Sequence, residues 1–396
     1  MTIQRAPIID ALRGIALFGI LAVNIQGAVW SLGGPTLGQI DEISTLLDRA
    51  AVLFTSFFLE YKFYPIFCFC FGYGFAVQAR KWRASGQNPA SLFARRLTFM
   101  LILGVLHGVF LWFGEILTRY AVTGFILRRH ISKGPRALIK ALKFWVIVTV
   151  ISTIIICALG AAAISNSSDA ADVSTLAMSD VTAAKAIYTT GSYWEVTKQR
   201  AKDFSTITTW FAFLIPQVMV LFLLGAITAQ MGWLKSPEKH RLFLSKIFMV
   251  ALVLGLPFNI AFTVKGWSIA NVFTVSTTFF DLLVPTFTPI FAFTYITGLA
   301  LFDSSTMGKT LIALFAPAGK LALTNYVFQS LAMTFLLYGY GLGWGTHLRQ
   351  GELFILAVVI YVFQLTVSHW YLRAYRQGPL EWLWRQCTSP EQHRRP

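Results

Sequence analysis

Asp10, Arg13 and Asn24 stand inside one apolar run of helix length near the start of the chain. A charge in hydrocarbon costs several kcal/mol unless it is partnered, so such residues are functional candidates by default. Asp10 and Arg13 lie three apart and share a helical face; Asn24, eleven beyond Arg13, returns to that face after about three turns. One polar stripe therefore runs inward along the first span. A plainer reading has Arg13 snorkelling to headgroups, Asp10 pairing with it, and Asn24 bonding a neighbouring helix.

His107 is the histidine set clearly within an apolar run, Leu97 to Gly114. Counted along the helix it lies about 15 Å deep, near the depth of Asn24. A neutral imidazole there is the natural general base for a hydroxyl or an amine, although a lone buried histidine is more often an interhelical hydrogen-bonder. Glu115 and Arg119 follow at the i, i+4 spacing of an intrahelical ion pair, expected near the outer face with Tyr120 beside them. Glu60 and Lys62 flank Tyr61 just before Pro65, where a break in the helix is expected; non-helical backbone at membrane depth is tolerated where it is buried in protein or lines a wet cavity. Pro317 and Gly319 read as a turn leading into the next helix, on which Asn325 and Gln329, also at i, i+4, project amides into the bundle as interhelical glue or as a polar ligand cradle. Asp281 stands in an apolar stretch beside Pro285 and Pro289, protonated, paired, or part of a proton path. Arg376 and Arg385 near the C-terminus, with Trp382 and Trp384, suit phosphate, whether in a lipid headgroup or a nucleotide. Cys68, Cys70, Cys157 and Cys387 have no metal-ligand spacing, so no metal site and no disulfide framework is expected.

The elements that must position these residues follow from composition. The chain has 396 residues, is 56% hydrophobic and only 13% charged, which excludes a soluble domain. The formal charge of +16 sits in short loops between spans, so it reads as a topology signal and nucleic acid is not an expected partner. The expected fold is all-α, a polytopic membrane helix bundle of about ten transmembrane helices with broken or re-entrant segments. Hydropathy places the spans at 10–30, 52–79, 97–114, 115–128, 144–164, 208–230, 244–264, 274–301, 320–339 and 352–371. The piece at 115–128 is short and reads as a half-helix or re-entrant segment. The chain then divides into an N-terminal membrane half (1–164), an extracytoplasmic loop (165–207) that is either a partly helical cap over a vestibule or a tether, a C-terminal membrane half (208–371), and a cytoplasmic tail (372–396). Lysine and arginine concentrate in alternate loops, which puts both termini in the cytoplasm.

These stretches together resemble the YeiB-like family of bacterial inner-membrane proteins, a domain of unknown function. The residues that carry the resemblance are Asp10 through Ile20 with Asn24; Lys62-Phe63-Tyr64 leading to Phe71-Gly72-Tyr73-Gly74; and Arg95-Arg96-Leu97 through His107 to Glu115-Ile116-Leu117. To them are added Leu323-Thr324-Asn325-Tyr326 with Gln329-Ser330, and Gly378-Pro379-Leu380-Glu381 running to Arg385. The family in turn is similar to a distant branch of the transmembrane acyltransferase superfamily, through an Arg-Gly in the first span followed by a polar residue eleven positions on. That residue is histidine in many of those enzymes and Asn24 here, as in the branch of the lysosomal heparan acetyltransferase; no histidine follows in residues 25–60.

The resemblance implies an inner-membrane acyltransferase that takes an acyl group from acyl-CoA as co-substrate, with no covalently bound cofactor, to a lipid- or sugar-like acceptor. His107 would then be the base, Arg13 would meet the donor, and Asn24, Asn325 and Gln329 would hydrogen-bond the reacting groups. A transporter or flippase of a small amphipathic metabolite, with Glu60, Lys62 and Asp281 along its pathway, is the alternative. A structural or lipid-binding subunit is a third reading, and a homodimer is left open.

Overall fold

In the computed structural model the described residues are 6–29, 45–131, 133–165, 170–267 and 286–388. Among them the regular structure is helical. The N-terminal half holds α1 (Pro7–Gln26), α2 (Leu46–Phe54), α3 (Phe63–Ala84), α4 (Pro89–Phe110), α5 (Leu117–Leu127) and α6 (Pro135–Ser165). Two helices follow in the region expected as a long loop, α7 (Ala170–Thr190) and α8 (Tyr193–Phe211). The remainder comprises α9 (Ile215–Met231), α10 (Arg241–Trp267), α11 (Ala292–Phe302), α12 (Thr306–Lys320), α13 (Ala322–Leu337), α14 (Gln350–Ala374) and α15 (Pro379–Thr388).

The protein is an all-α polytopic bundle. Among the described residues seven helical stretches are long and apolar enough to cross a membrane, and α11 with α12 makes an eighth if that pair, bent by 117°, counts as one span. The other two expected spans are the shorter helices α5 and α13, of 11 and 16 residues. At 1.5 Å per residue α5 reaches only about 16 Å, half of a hydrocarbon core of about 30 Å. The helix α12 was missed altogether. Pro317 and Gly319 read as a turn, yet both lie inside α12, and the glycine serves packing.

Close packing explains the glycines. A methyl group on Gly319 would overlap the carbonyl oxygen of Asp10, and one on Gly14 would overlap that of Phe315, so α1 and α12 meet backbone to backbone. Gly72 and Gly225 do the same for α3 and α9, against Phe222 and Phe69. With no hydrophobic drive between helices in lipid, such small-residue crossings let dispersion and polar contacts hold the bundle. Isoleucine, valine and phenylalanine side chains cover its outside, among them Ile147, Ile151 and Ile154 on α6, Val253 on α10, and Val359 and Phe363 on α14. That surface suits lipid and would be an aggregation hazard in water.

The second span breaks as expected, though not at Pro65. A π-helical turn, Thr55–Leu59, ends at Glu60 in extended conformation, and Tyr61 follows with φ of +57°. Pro65 sits harmlessly in the first turn of α3, where its missing N–H has no helical acceptor to lose. The carbonyls at the break are each taken by a side chain. Lys62 Nζ donates to Ser56 O at 2.6 Å, Asn259 Nδ2 to Phe57 O at 2.9 Å, and Tyr295 Oη to Phe58 O at 3.1 Å.

Lysine and arginine gather at one end of the bundle, called here the basic end. Arg83 donates to Ile131 O at 2.7 Å and Arg128 to Ala90 O at 3.4 Å, tying the turns between α3, α4, α5 and α6 together.

Candidate functional site

His107 lies in the last turn of α4, 2% exposed. Its Nε2 is 2.9 Å from Ser330 Oγ on α13, and its ring stacks on Tyr326 one turn earlier in that helix, with centroids 5.0 Å apart. The Ser330 hydroxyl also reaches the carbonyl oxygen of Tyr326 at 3.4 Å. If the serine proton goes to that carbonyl, Ser330 Oγ must accept from the imidazole, which fixes the proton on Nε2. Nδ1 is then a bare lone pair, and it has no hydrogen-bond partner among the described residues. That is the protonation pattern of a general base.

The helix α5 brings Glu115 and Arg119 to the same place. The hairpin from α4 folds back so tightly that Thr118 and Glu115 lie against Gly104, one turn from His107, where any side chain larger than hydrogen would collide. Glu115 is therefore drawn into the protein, 1% exposed. Both its carboxylate oxygens accept from Thr118 N, at 3.1 Å each, so the acid caps α5. The Arg119 guanidinium does not bridge to it; it lies 3.0 Å from the centre of the Phe211 ring at the end of α8, with Nη2 unbonded among the described residues. Its electrostatic neighbours are Glu115, Tyr326, Tyr120 and Tyr64. Tyr64 donates to Gln217 on α9 at 2.8 Å, and Tyr120 reaches Tyr64 O at 3.3 Å. Polar side chains of α3, α4, α5, α9 and α13 thus come together here.

Arg13 belongs to the basic end. Its Nη1 lies 3.3 Å from Asp10 Oδ1 and its Nη2 donates to Cys70 O at 2.9 Å, while Gly74 leaves the room that its guanidinium takes up against α3. Arg96 on α4 is within electrostatic range of both Arg13 and Arg385. It lies 4.1 Å over the Trp384 ring, whose Nε1 donates back to Arg96 O at 3.1 Å. Arg376 and Arg385 line a cleft of about 530 Å³ with Tyr371, Tyr375 and Trp382. The helix α15 is held there by Glu381, which accepts from Leu323 N, Thr324 N and Thr324 Oγ1 at 2.7, 3.1 and 2.6 Å, capping α13 from outside.

The remaining candidates separate. Asn24 is half-buried in the last turn of α1 and makes no hydrogen bond among the described residues. Asn325 donates to Ala318 O and to Ser368 Oγ, each at 3.1 Å, and Gln329 donates to Leu17 O at 3.2 Å and to Gln364 Oε1 at 2.8 Å. These amides fasten α1, α12, α13 and α14 to one another. Lys62 is fully buried and its amine is engaged by Ser56, while Glu60 lies beside it on the elbow. Asp281 lies outside the described residues. Arg13 and His107 occupy different levels: Arg96 marks the first, and His107 is eleven residues further along α4, about 16 Å. No group of three or more histidine, cysteine or acidic side chains placed to hold a metal occurs among the described residues.

Several residues of the site carried no signal that singled them out. Ser330 stood beside Gln329 and Tyr326 beside Asn325, polar groups on an ordinary span, and Gln364 and Ser368 lay within the last expected span. Arg200 stood in a segment read as a loop, where its charge counted only toward topology.

Comparison with known proteins places the chain. It is 30% identical to the uncharacterized protein YxaH of Bacillus subtilis (strain 168), across 98% of this chain and 95% of that one. The chain belongs to the YeiB-like family. It is 26% identical to the uncharacterized protein YeiB of Escherichia coli (strain K12), over 97% of this chain and 96% of the relative. An uncharacterized 39.9 kDa protein from the amylase 3′ region of Bacillus acidopullulyticus is 28% identical over 97% of this chain and 94% of its own. Residues 228–391 match the family described as a protein of unknown function, DUF418. No solved structure matches. This YeiB-like protein is thus a multi-pass membrane protein whose interior carries the polar residues described above.

Proposed function

We propose that this YeiB-like protein is an acyltransferase of the bacterial inner membrane, with both termini in the cytoplasm, that moves an acyl group from acyl-CoA to a hydroxyl or amine of a lipid- or sugar-like acceptor. The observation that carries the reading is the bare Nδ1 of His107, oriented by Ser330 and sunk in a wall of Tyr326, Glu115 and Arg119. Arg13, Arg96 and Arg385 collect positive charge at the basic end, where the aromatic and arginine-lined cleft suits the nucleotide of the donor. The rise of about 16 Å from Arg96 to His107 is the length a pantetheine arm covers.

In this scheme the acceptor oxygen or nitrogen gives its proton to His107 Nδ1 as it attacks the thioester carbonyl carbon. The C–S bond then breaks, and the imidazolium returns the proton to the departing thiolate. Arg119 Nη2 is the donor available for negative charge on the carbonyl oxygen as it develops. Membranes containing the protein should transfer label from radioactive acetyl-CoA to an extractable lipid or glycan, and His107→Gln should abolish that transfer. Equal labelling by wild type and His107→Gln would sink the reading.

A transporter of a small amphipathic metabolite is the second reading, favoured by the breaks at residues 60–62 and between α11 and α12. Counterflow in proteoliposomes without any acyl donor, lost in Glu60→Gln, would select it.

A further inference from the structure

Arg200, on α8, is fully buried, and none of its Nε, Nη1 and Nη2 has a hydrogen-bond partner among the described residues. A guanidinium left so is expensive: removing a charge from water costs several kcal/mol, which aromatic faces return only in part. Three such faces surround it. The rings of Tyr193, Tyr338 and Tyr340 lie 5.9, 5.7 and 6.0 Å from its central carbon.

The walls around it are fastened. Tyr338 Oη donates to Ala28 O at 2.9 Å, and Tyr188, stacked beside Tyr338, donates to Asp203 Oδ2 at 2.6 Å. Asp203 Oδ1 accepts from Gln199 at 3.1 Å, so both carboxylate oxygens already serve neighbours other than the guanidinium. Tyr193 is the most exposed of the three rings, at 36%, and Tyr340 is half-buried; Tyr193 donates to Phe110 O at 3.3 Å and packs edge-on to Tyr340. His107 is within electrostatic range of Arg200.

We propose that Arg200 anchors a recognition subsite for a carboxylate carried by the acceptor, with Tyr193 as its movable outer wall and His107 on its inner side. The inference rests on the acyl-transfer reading for the word acceptor, and on Arg200 alone for the carboxylate. A planar guanidinium fork matches a carboxylate in two parallel hydrogen bonds. The nearby Asp203 charge balances the site against a dianion such as phosphate, while a monoanion is accommodated. The tyrosine rings offer faces on which an aromatic or sugar scaffold bearing that carboxylate can stack.

The test uses the full-length protein in nanodiscs without any acyl donor, so that it stands apart from acyl transfer. Binding of benzoate and glucuronate is measured by thermophoresis beside their neutral counterparts benzamide and glucose, and beside inorganic phosphate. At least one carboxylate should bind saturably, ten or more times tighter than its neutral counterpart and than phosphate. Arg200→Lys should weaken it about tenfold and Arg200→Met should abolish it. Arg200→Met should also melt no lower than wild type, because it removes an unbonded buried charge. Carboxylates that bind no better than their neutral counterparts, phosphate that binds best, or Arg200→Met protein that fails to fold would each overturn the proposal.

Discussion

Gly319 of α12 packs against the carbonyl oxygen of Asp10 so closely that the two helices have no space for a single methyl group between them. Arg13 is one turn further along α1, and its guanidinium is held against α3 by Cys70 O. The α1–α12 crossing therefore sets the level at which Arg13 meets α3. Gly319→Leu should lower thermal stability in detergent by about 1–3 kcal/mol or more, the range for overpacking a filled interior. Gly134→Ala, in open space, is the control and should leave the melting curve in place.

In the proposed scheme Ser330 orients His107 through Nε2 and takes no part in the proton transfer at Nδ1. Ser330→Ala releases the imidazole to exchange tautomers, so acyl transfer should fall by less than in His107→Gln, for which the general-base contribution of about 10²–10⁴-fold is lost. The two rates, taken from initial labelling velocities over a pH series, should differ in magnitude and not in donor KM.

Glu381 caps α13 across 57 residues of chain, beside a backbone bond from Leu380 N to Thr324 Oγ1 at 3.2 Å. Glu381→Gln keeps the shape but loses the charge, and should cost about 0.5–2 kcal/mol of local stability. Limited proteolysis reads this directly: the bond region around residues 375–390 should be cut several times faster in the variant while the membrane helices stay intact.

Burial and the neighbouring Lys133 and Arg129 hold the His130 imidazole below its ordinary value. The unfolded chain then takes up a proton before the folded one does, so stability is full above the unfolded value near 6.5 and declines as pH falls through it. His130 is half-buried beside solvent, whose screening keeps the effect small. Between pH 7 and pH 5 the melting temperature of His130→Gln should fall less than that of wild type.

Much of the fold was legible because hydrocarbon imposes a strict pattern. Lengths of apolar run located α1, α4, α6, α10 and α14, and Pro65 with Glu60 and Lys62 marked the elbow within a few residues. Punctuation misled at Pro317 and Gly319, because in a membrane bundle a glycine marks a helix crossing as readily as a turn. The candidate site was legible as a set of buried polar residues but not as a partition. Asn325 and Gln329 are bonded through their amide nitrogens to α1, α12 and α14, while His107 Nδ1, Arg119 Nη2 and Gln329 Oε1 stay unbonded among the described residues. Hydropathy ranks these four alike, since which amide finds a carbonyl is decided by helix rotation. Arg200 was invisible for a different reason: a charged residue in a polar stretch gives no sign that the stretch folds back over the bundle.

The elbow at residues 55–62 joins three helices by single threads, since Ser56, Phe57 and Phe58 hand their carbonyls to Lys62 in α3's cap, Asn259 on α10 and Tyr295 on α11. Sliding α10 or α11 away would strand a bare amide oxygen in oil. Those two helices are consequently moored to the first half of the molecule at one depth, and any rearrangement of the second half must swivel about that mooring.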